Sequence, residues 1–141
     1  MTQIDFYTNV GDKLTTACRI VAKAYGLQKR VVVFCPDAEI AQRIDRMLWT
    51  SPPTGFVPHC ASSSTLAGST PVVIDHRGDE PLHDQLLLNL RNEWPPFFSR
   101  FERLIEIVGL DEVDKQQARE RYKFYRDRGY EIRTHDLRAV A

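Results

Sequence analysis

The chain has 141 residues, of which 43% are hydrophobic and 27% charged, and its 19 basic and 19 acidic residues leave a formal net charge of zero. This composition is typical of a soluble globular protein, here one domain over residues 1–141, and it argues against a protein that coats duplex DNA through a broad basic face. No apolar run approaches the roughly 20 residues that span a bilayer, and the N-terminus has no signal-peptide pattern, so we expect a cytoplasmic protein without a membrane partner.

The first fifty residues alternate between strand and helix patterns. Apolar and polar residues alternate from Gln3 to Thr8, which predicts a strand, and apolar residues then recur at helical spacing from Leu14 to Tyr25, behind the candidate N-cap Asp12. The run VVVF within Arg30 to Phe34 is typical of a strand buried on both faces, and Asp37 to Leu48 predicts a second helix. This order predicts an α/β fold with parallel strands.

The middle of the chain is less regular. Ser51 to Ser69 is rich in Pro, Ser and Gly, which predicts a long loop with at most a short extended piece at Phe56 and Val57. Pro71 to Asp75 predicts a third strand. Leu82 to Leu90 fits a buried strand or a helix, and we favour a strand because two prolines follow closely; Arg103 to Val108 predicts a further strand.

The C-terminal part carries an uneven charge. Residues 115–141 contain eight basic and four acidic residues, a net charge of +4, whereas residues 1–114 contain eleven and fifteen, a net charge of −4. A helix is predicted from Glu112 to Asp127, ending at Gly129, after which the last dozen residues lie against the body or fray. At about 100° per residue, one narrow stripe of this helix holds Lys115, Arg119, Tyr122 and Arg126, with Lys123 on its border.

Cations around an aromatic ring suit an anion held next to an apolar group. The alternative is a solvated helix face, which is what most charge runs are. Two observations favour the binding hypothesis: six of the eight charges from Lys115 to Arg128 are positive, and they extend over more than the last turn, where the helix dipole alone would place them.

Motifs for catalysis and cofactor binding are missing from the sequence. The turn from Thr8 to Lys13 has neither the three-glycine dinucleotide fingerprint nor the triphosphate-binding pattern. The four histidines have no second cluster of potential ligands nearby in sequence, and no Ser or Cys lies in a recognisable catalytic signature. The three cysteines form no C-x-x-C pair and are interpreted as buried structural thiols. We therefore expect no metal, no cofactor and no enzymatic activity of the chain itself.

Three segments together resemble the chi subunit of bacterial DNA polymerase III holoenzyme: DFY at residues 5–7, LW…FVPH at residues 48–59 and QARERYKFYRDRGY at residues 117–130. The resemblance implies a three-layer, Rossmann-like α/β domain with a mostly parallel or mixed sheet, a C-terminal basic helix and no nucleotide site. It also implies a non-catalytic subunit of the clamp-loader branch. Such a subunit binds the acidic C-terminal tail of single-stranded DNA-binding protein, pairs with a small psi-type partner that tethers it to the clamp loader, and meets DNA mainly through these partners.

The tail-binding positions of the family fall on the basic helix and the strand before it. Arg119 would hold the terminal carboxylate in a bidentate pair, and Tyr122 and Val108 would wall an apolar pocket for the last side chain. The remaining tail-binding positions, which would attract the upstream aspartates of the tail, are Lys115, Lys123 and Arg126.

The partner-binding positions of the family fall near the start of the long loop. The psi-type interface is implied at Trp49, Phe56, Pro58 and His59. The alternative for these residues is a small apolar cluster that caps the core beneath the loop.

Two further hypotheses remain for the whole chain. One is direct binding of single-stranded nucleic acid by the basic helix, with Tyr122 and Tyr125 stacking on bases; the charge of −4 in residues 1–114 disfavours the long basic groove that this requires. The other is a degenerate nucleotide-binding enzyme with a phosphate site at Gly11.

Overall fold

The computed structural model describes residues 1–50, 57–78 and 81–140. In these residues seven strands form one sheet: β1 (Gln3–Val10), β2 (Val31–Phe34), β3 (His59–Ala61), β4 (Val72–Asp75), β5 (Leu86–Asn89), β6 (Arg103–Gly109) and β7 (Ile132–Asp136). They lie in the order β3-β4-β2-β5-β6-β1-β7, and every neighbouring pair is parallel. The predicted α/β fold with a mostly parallel sheet is confirmed.

Helices cover both faces of this sheet. They are α1 (Lys13–Gly26), α2 (Ala38–Thr50) and α3 (Glu112–Asp127), and short 3-10 turns lie at Ala67–Ser69, Phe98–Arg100 and Leu137–Val140. The helices α1 and α2 share one core with Val31 and Val33, whereas α3 shares the other with Val32 and Phe34. Because side chains alternate along a strand, β2 is buried on both faces, as its apolar run predicts, and the fold has three layers.

Aspartates begin all three helices. The side chains of Asp12, Asp37 and Asp111 each accept a hydrogen bond from the backbone N–H three residues later, which satisfies a donor that the first turn of a helix leaves unpaired. The chain leaves α3 through Gly129, whose φ of 84° is a left-handed conformation that favours glycine. Of the helices in the described residues, none has the length and apolarity needed to cross a bilayer.

The two edge strands are the main difference from the sequence-based expectation. β3 lies within residues 51–69, for which the sequence predicts a loop, and β7 lies in the last dozen residues, where it pairs in parallel with β1. Neither strand shows a strong pattern, because β3 has only three residues and β7 has Ile132 as its one large apolar side chain. Short, polar edge strands are common in proteins and are hard to recognise by periodicity. The ambiguous segment Leu82 to Leu90 contains β5, as favoured above.

Two of the three thiols lie in the core, as predicted. Cys18 and Cys35 are buried, whereas Cys60 is half-buried. Burial raises the pKa of the Cys18 thiol to about 11 and that of Cys35 to about 12. Both groups therefore stay protonated near neutral pH, and a protonated thiol is a poor nucleophile.

Candidate functional site

The helix α3 is fixed to the sheet by a buried charged network. The carboxylate of Glu106 on β6 is fully buried and accepts hydrogen bonds from Arg121 Nε at 3.1 Å and from Tyr125 Oη at 2.7 Å. Asn89 Nδ2 donates to the same carboxylate at 3.0 Å, and Arg121 Nη1 donates to the carbonyl oxygen of Asn92 at 2.8 Å. Burial raises the pKa of Glu106, and the charge of Arg121 together with these donors opposes that effect. The network packs one face of α3 against the sheet, so a different face of the helix remains accessible beside the sheet.

That other face of α3 borders a cavity of about 680 Å³, called the α3 cavity below. The cavity lies between α3 and the carboxyl-terminal halves of β6, β1 and β7. Its volume falls in the range of roughly 300–1,000 Å³ that is usual for ligand-binding pockets. All six residues predicted for tail binding line it: Val108, Lys115, Arg119, Tyr122, Lys123 and Arg126.

Three of the four cations of this set make only weak contacts within the described part of the protein. Lys115 Nζ lies 3.9 Å from a Glu112 oxygen, and Arg119 Nη1 donates to Gln116 Oε1 at the long distance of 3.4 Å. Arg126 Nη2 lies 3.3 Å from an oxygen of its neighbour Asp127. Exposed pairs of this kind contribute little to stability, so these cations remain available to an anionic ligand.

The cavity also has an apolar wall. Tyr122 is 37% exposed and packs its ring against Phe6, with the ring centroids 5.5 Å apart. Phe6, Val108 and Ala118 are buried and face the same space. The arrangement therefore places positive charge along one rim of an apolar cavity, which suits a ligand with both a carboxylate and an aromatic group.

Sequence reasoning missed five residues that line the cavity, four on the strands β1 and β7 and one on α3. Phe6, Thr8, Asn9, Ala118 and Thr134 complete its lining. Strand alternation in β1 places Phe6 and Thr8 on one face and could have indicated both. Thr134 could not be assigned to the cavity without recognising β7 as a strand. Asn9 lines the cavity because of an irregularity of β1, which no sequence pattern predicts.

The predicted psi-type residues that the structure describes lie together at the end of α2. The Trp49 side chain is 63% exposed, and its ring meets the edge of the His59 ring at a centroid distance of 5.4 Å. His59 Nδ1 lies 2.7 Å from the carbonyl oxygen of Val57, and Nε2 lies 3.1 Å from Asp45 Oδ1. Pro58 is half-buried between Val57 and His59. Phe56, the fourth predicted position, lies outside the described residues.

A second cavity of about 580 Å³ runs beside Trp49. Asp45 and Arg46 of α2 line it together with Ala61 of β3 and His76. The exposure of Trp49 argues against the alternative that this residue caps the core, because a capping group would be largely covered. The surface formed by Trp49, Pro58 and His59 is called the Trp49 surface below.

One part of the nucleic-acid hypothesis is wrong. Tyr125 is fully buried, and its hydroxyl donates to Glu106, so its ring cannot stack on a base. The candidate phosphate site near Gly11 adjoins Asp12, whose carboxylate already caps α1, and a phosphate there would meet a negative charge. In the part of the chain that the structure describes, no three His, Cys, Asp or Glu side chains cluster as a metal site would require.

The chain matches a known family over nearly its whole length. The family model described as DNA polymerase III chi subunit, HolC, matches residues 1–133. The DNA polymerase III subunit chi of Haemophilus influenzae is 36% identical over 122 residues, which cover 86% of this chain and 85% of the relative. The Escherichia coli K12 protein of the same name is 34% identical over 119 residues, covering 83% and 80%. The Pseudomonas aeruginosa protein of that name is 31% identical over 141 residues, covering 97% and 98%.

Proposed function

Because the chain belongs to the DNA polymerase III chi subunit family and is thus an accessory subunit of DNA replication, we propose that it binds the acidic C-terminal tail of single-stranded DNA-binding protein in the α3 cavity. The observation that supports this most directly is the common location of the six tail-binding positions. They come from β6 and from about three turns of α3, yet they line one cavity of about 680 Å³.

The cavity has a residue suited to each part of such a tail. Arg119 pairs with the terminal carboxylate, for which its planar guanidinium is suited. The last side chain, an aromatic ring, enters the apolar space between Val108 and Tyr122. Lys115, Lys123 and Arg126 attract the aspartates upstream and accelerate encounter. The cavity of about 680 Å³ is larger than one aromatic ring, so the residues that precede the last one also bind within it.

The Trp49 surface is proposed as the site of a psi-type partner that links the chain to the clamp loader. An exposed tryptophan braced by a histidine resembles the aromatic anchors of protein–protein hot spots. In this proposal the chain acts in the cytoplasm as a non-catalytic bridge, it reaches DNA mainly through its partners, and polymerase activity belongs to the holoenzyme.

Calorimetric titration with a short synthetic peptide ending in Asp-Asp-Ile-Pro-Phe tests the tail site. We expect micromolar binding at low salt, or about −8 kcal/mol for a Kd of 1 μM. Arg119→Ala and deletion of the terminal Phe should each remove detectable binding. Arg19→Ala is the matched control, since Arg19 is an exposed arginine on α1, across the sheet from the cavity.

Absence of peptide binding by the wild-type protein at low salt would refute the tail site. The same protein would then be titrated with oligo(dT), because direct binding of single-stranded nucleic acid is the competing use of the α3 cations. Binding of oligo(dT) that Arg119→Ala and Arg126→Ala weaken would support that alternative.

Co-purification with the psi-type subunit of the same organism tests the second surface. Trp49→Ala should remove the partner, whereas Trp94→Ala should retain it. Trp94 is a suitable control because it is 40% exposed and lies far along the chain, stacked on Phe124 of α3. Equal recovery of the partner with both variants would exclude the Trp49 surface as its site.

A further inference from the structure

A β-bulge in β1 shapes the sheet side of the α3 cavity. Tyr7 pairs with Ile107 of β6, but the next pair in register is Val10 with Gly109, so Thr8 and Asn9 together oppose Val108. Asn9 has a φ of 57°, the left-handed conformation that non-glycine residues seldom adopt and that Asn tolerates better than most. Bulges and residues of unusual conformation concentrate near functional sites, where they redirect side chains.

The bulge changes which side chains reach the cavity. In a regular strand Thr8 would face α3 and Asn9 would face α1, because successive side chains point to opposite faces. Here both line the α3 cavity, and Val10 joins the core beneath α1 instead. The extra residue in β1 thus places Asn9 beside Thr8 at the edge of the cavity, where a regular strand would place only the threonine.

The Asn9 amide is held in a fixed orientation. Its Nδ2 donates to Asp136 Oδ1 at 2.9 Å, and its Oδ1 accepts from Arg138 Nη2 at 3.2 Å. The backbone N–H of Arg138 donates to the same Asp136 oxygen at 2.9 Å, which ties the two clamping residues together. An amide has two donor hydrogens and two acceptor lone pairs, so these contacts leave Asn9 one donor and one acceptor.

An amide with one unused donor and one unused acceptor can hydrogen-bond a peptide group, which also has one donor and one acceptor. The cations of α3 match the carboxylates of an acidic tail, and the apolar wall matches its last ring, but neither recognises the main chain that joins them. We propose that Asn9, redirected by the bulge and clamped by Asp136 and Arg138, hydrogen-bonds the main chain of the docked tail and sets its register, so that the terminal carboxylate meets Arg119. This inference rests on the proposed tail-binding function.

Asn9→Gly is the variant that tests this inference. Glycine adopts the left-handed conformation at no steric cost, so the bulge is retained while the amide is removed. We expect the Asp-Asp-Ile-Pro-Phe peptide to bind about fivefold more weakly, the usual worth of a neutral hydrogen bond. Gln28→Gly is the matched control, because Gln28 also has a positive φ, 61°, but does not line the cavity. The affinity of this variant for the peptide should equal that of the wild type.

A second measurement distinguishes recognition of the main chain from a general effect on structure. Peptides are N-methylated singly at the Ile, at the Phe and at each Asp, which removes one main-chain N–H at a time. One of these peptides should bind the wild-type protein about fivefold more weakly than the unmethylated peptide does. The same peptide should bind Asn9→Gly almost as well as the unmethylated peptide does, because the two changes remove the same hydrogen bond.

The outcomes separate this inference from the proposed function. Wild-type binding that Arg119→Ala abolishes but Asn9→Gly leaves unchanged would overturn the role of Asn9 and leave the tail site intact. Equal sensitivity of the wild type and Asn9→Gly to every N-methyl peptide would also overturn it. Absence of wild-type binding would overturn both. If Asn9→Gly fails to fold, the wild-type protein still tests the inference, because full affinity for every N-methyl peptide would overturn it.

Discussion

The α3 cavity and the Trp49 surface are built in different ways. The cavity is formed by the regular side of a helix whose opposite side is anchored by buried charges, and its six predicted residues repeat with the period of that helix or sit on the adjacent strand. The Trp49 surface combines the last turn of α2 with residues 57–59, which follow a segment of little periodicity. A helical repeat thus identifies a binding face directly in the sequence, whereas a surface at the end of an element has no repeat to reveal it.

The largest effect on stability is expected when the buried Glu106–Arg121 pair, which fixes α3 to the sheet, is disrupted. Arg121→Ala leaves the buried Glu106 carboxylate without its ion-pair partner, which should lower the free energy of unfolding by about 3–5 kcal/mol. Urea denaturation measures this loss. Arg128→Ala is the control, because Arg128 is an exposed arginine of the same region that stacks on Phe124.

An apolar replacement of the same pair sharpens this result. The triple variant Glu106→Leu/Arg121→Met/Tyr125→Phe should recover most of the lost stability, since buried pairs can be replaced by apolar groups at little cost and Tyr125→Phe removes the hydroxyl that would lose its acceptor. If Arg121→Ala costs under about 1 kcal/mol, on the scale of an exposed pair, the network does not anchor α3.

The two surfaces should also be separable by mutation. Arg119→Ala should remove detectable tail binding, a loss of at least about 2 kcal/mol, without affecting the psi-type partner, and Trp49→Ala should do the reverse, because hot-spot residues act within their own interface. Each variant should keep the wild-type affinity for the other ligand, since distant residues act independently. Calorimetry of both variants with the peptide and with the partner checks this. A loss of affinity at the site that was not mutated would indicate that the two sites are coupled through the sheet.

A smaller, pH-dependent effect is expected at a buried carboxylate of β1 that does not line the α3 cavity. The buried Asp5 carboxylate of β1 accepts from Arg103 Nε of β6 at 2.7 Å and lies 2.9 Å from His135 Nε2 of β7, so it joins three strands. Burial by itself would raise the pKa of Asp5, but the hydrogen bonds from His135 and Arg103 outweigh it, and the pKa is lowered.

The sign of the pH effect follows from that direction. A carboxyl with a lowered pKa stabilises the folded state above its unfolded pKa of about 3.9, and the stabilisation disappears as the pH falls through the folded value. Asp5→Asn should therefore cost about 1.5–3 kcal/mol near neutral pH, the range for hydrogen bonds to charged groups. Urea denaturation from pH 7 to pH 2 should show the difference between wild type and Asp5→Asn shrinking below about pH 4. A difference independent of pH would mean that the Asp5 charge does not hold these strands.

The sequence is informative where one physical signal dominates. The buried strands β2, β4 and β6 follow from apolar runs, and the helices follow from periodicity and from aspartate caps such as Asp12. The stripe on α3 follows from the same geometry. Asn9 and Thr134 could not be predicted, since one depends on a bulge and the other on a polar edge strand whose pairing is settled only by tertiary contacts. The fully buried Arg121 looks like one more surface cation in the sequence, and only its pairing with Glu106 distinguishes it.

The smallest predicted effect is a difference in salt dependence between the two surfaces. The α3 cavity carries four exposed or half-buried cations, whereas the Trp49 surface presents mainly rings, with a contact between Asp45 and His59. Salt at 0.5 M shortens the screening length well below the roughly 8–10 Å of physiological buffers, so contacts of the outer cations with upstream aspartates should weaken most. We expect tail-peptide affinity to fall several-fold between 0.05 M and 0.5 M salt, and affinity for the psi-type partner to change little. Lys123→Ala should weaken peptide binding at low salt but change it little at high salt, because Lys123 acts through long-range attraction. The salt dependence of peptide binding should therefore be smaller in this variant. An equal dependence at both surfaces would show that charge does not distinguish them.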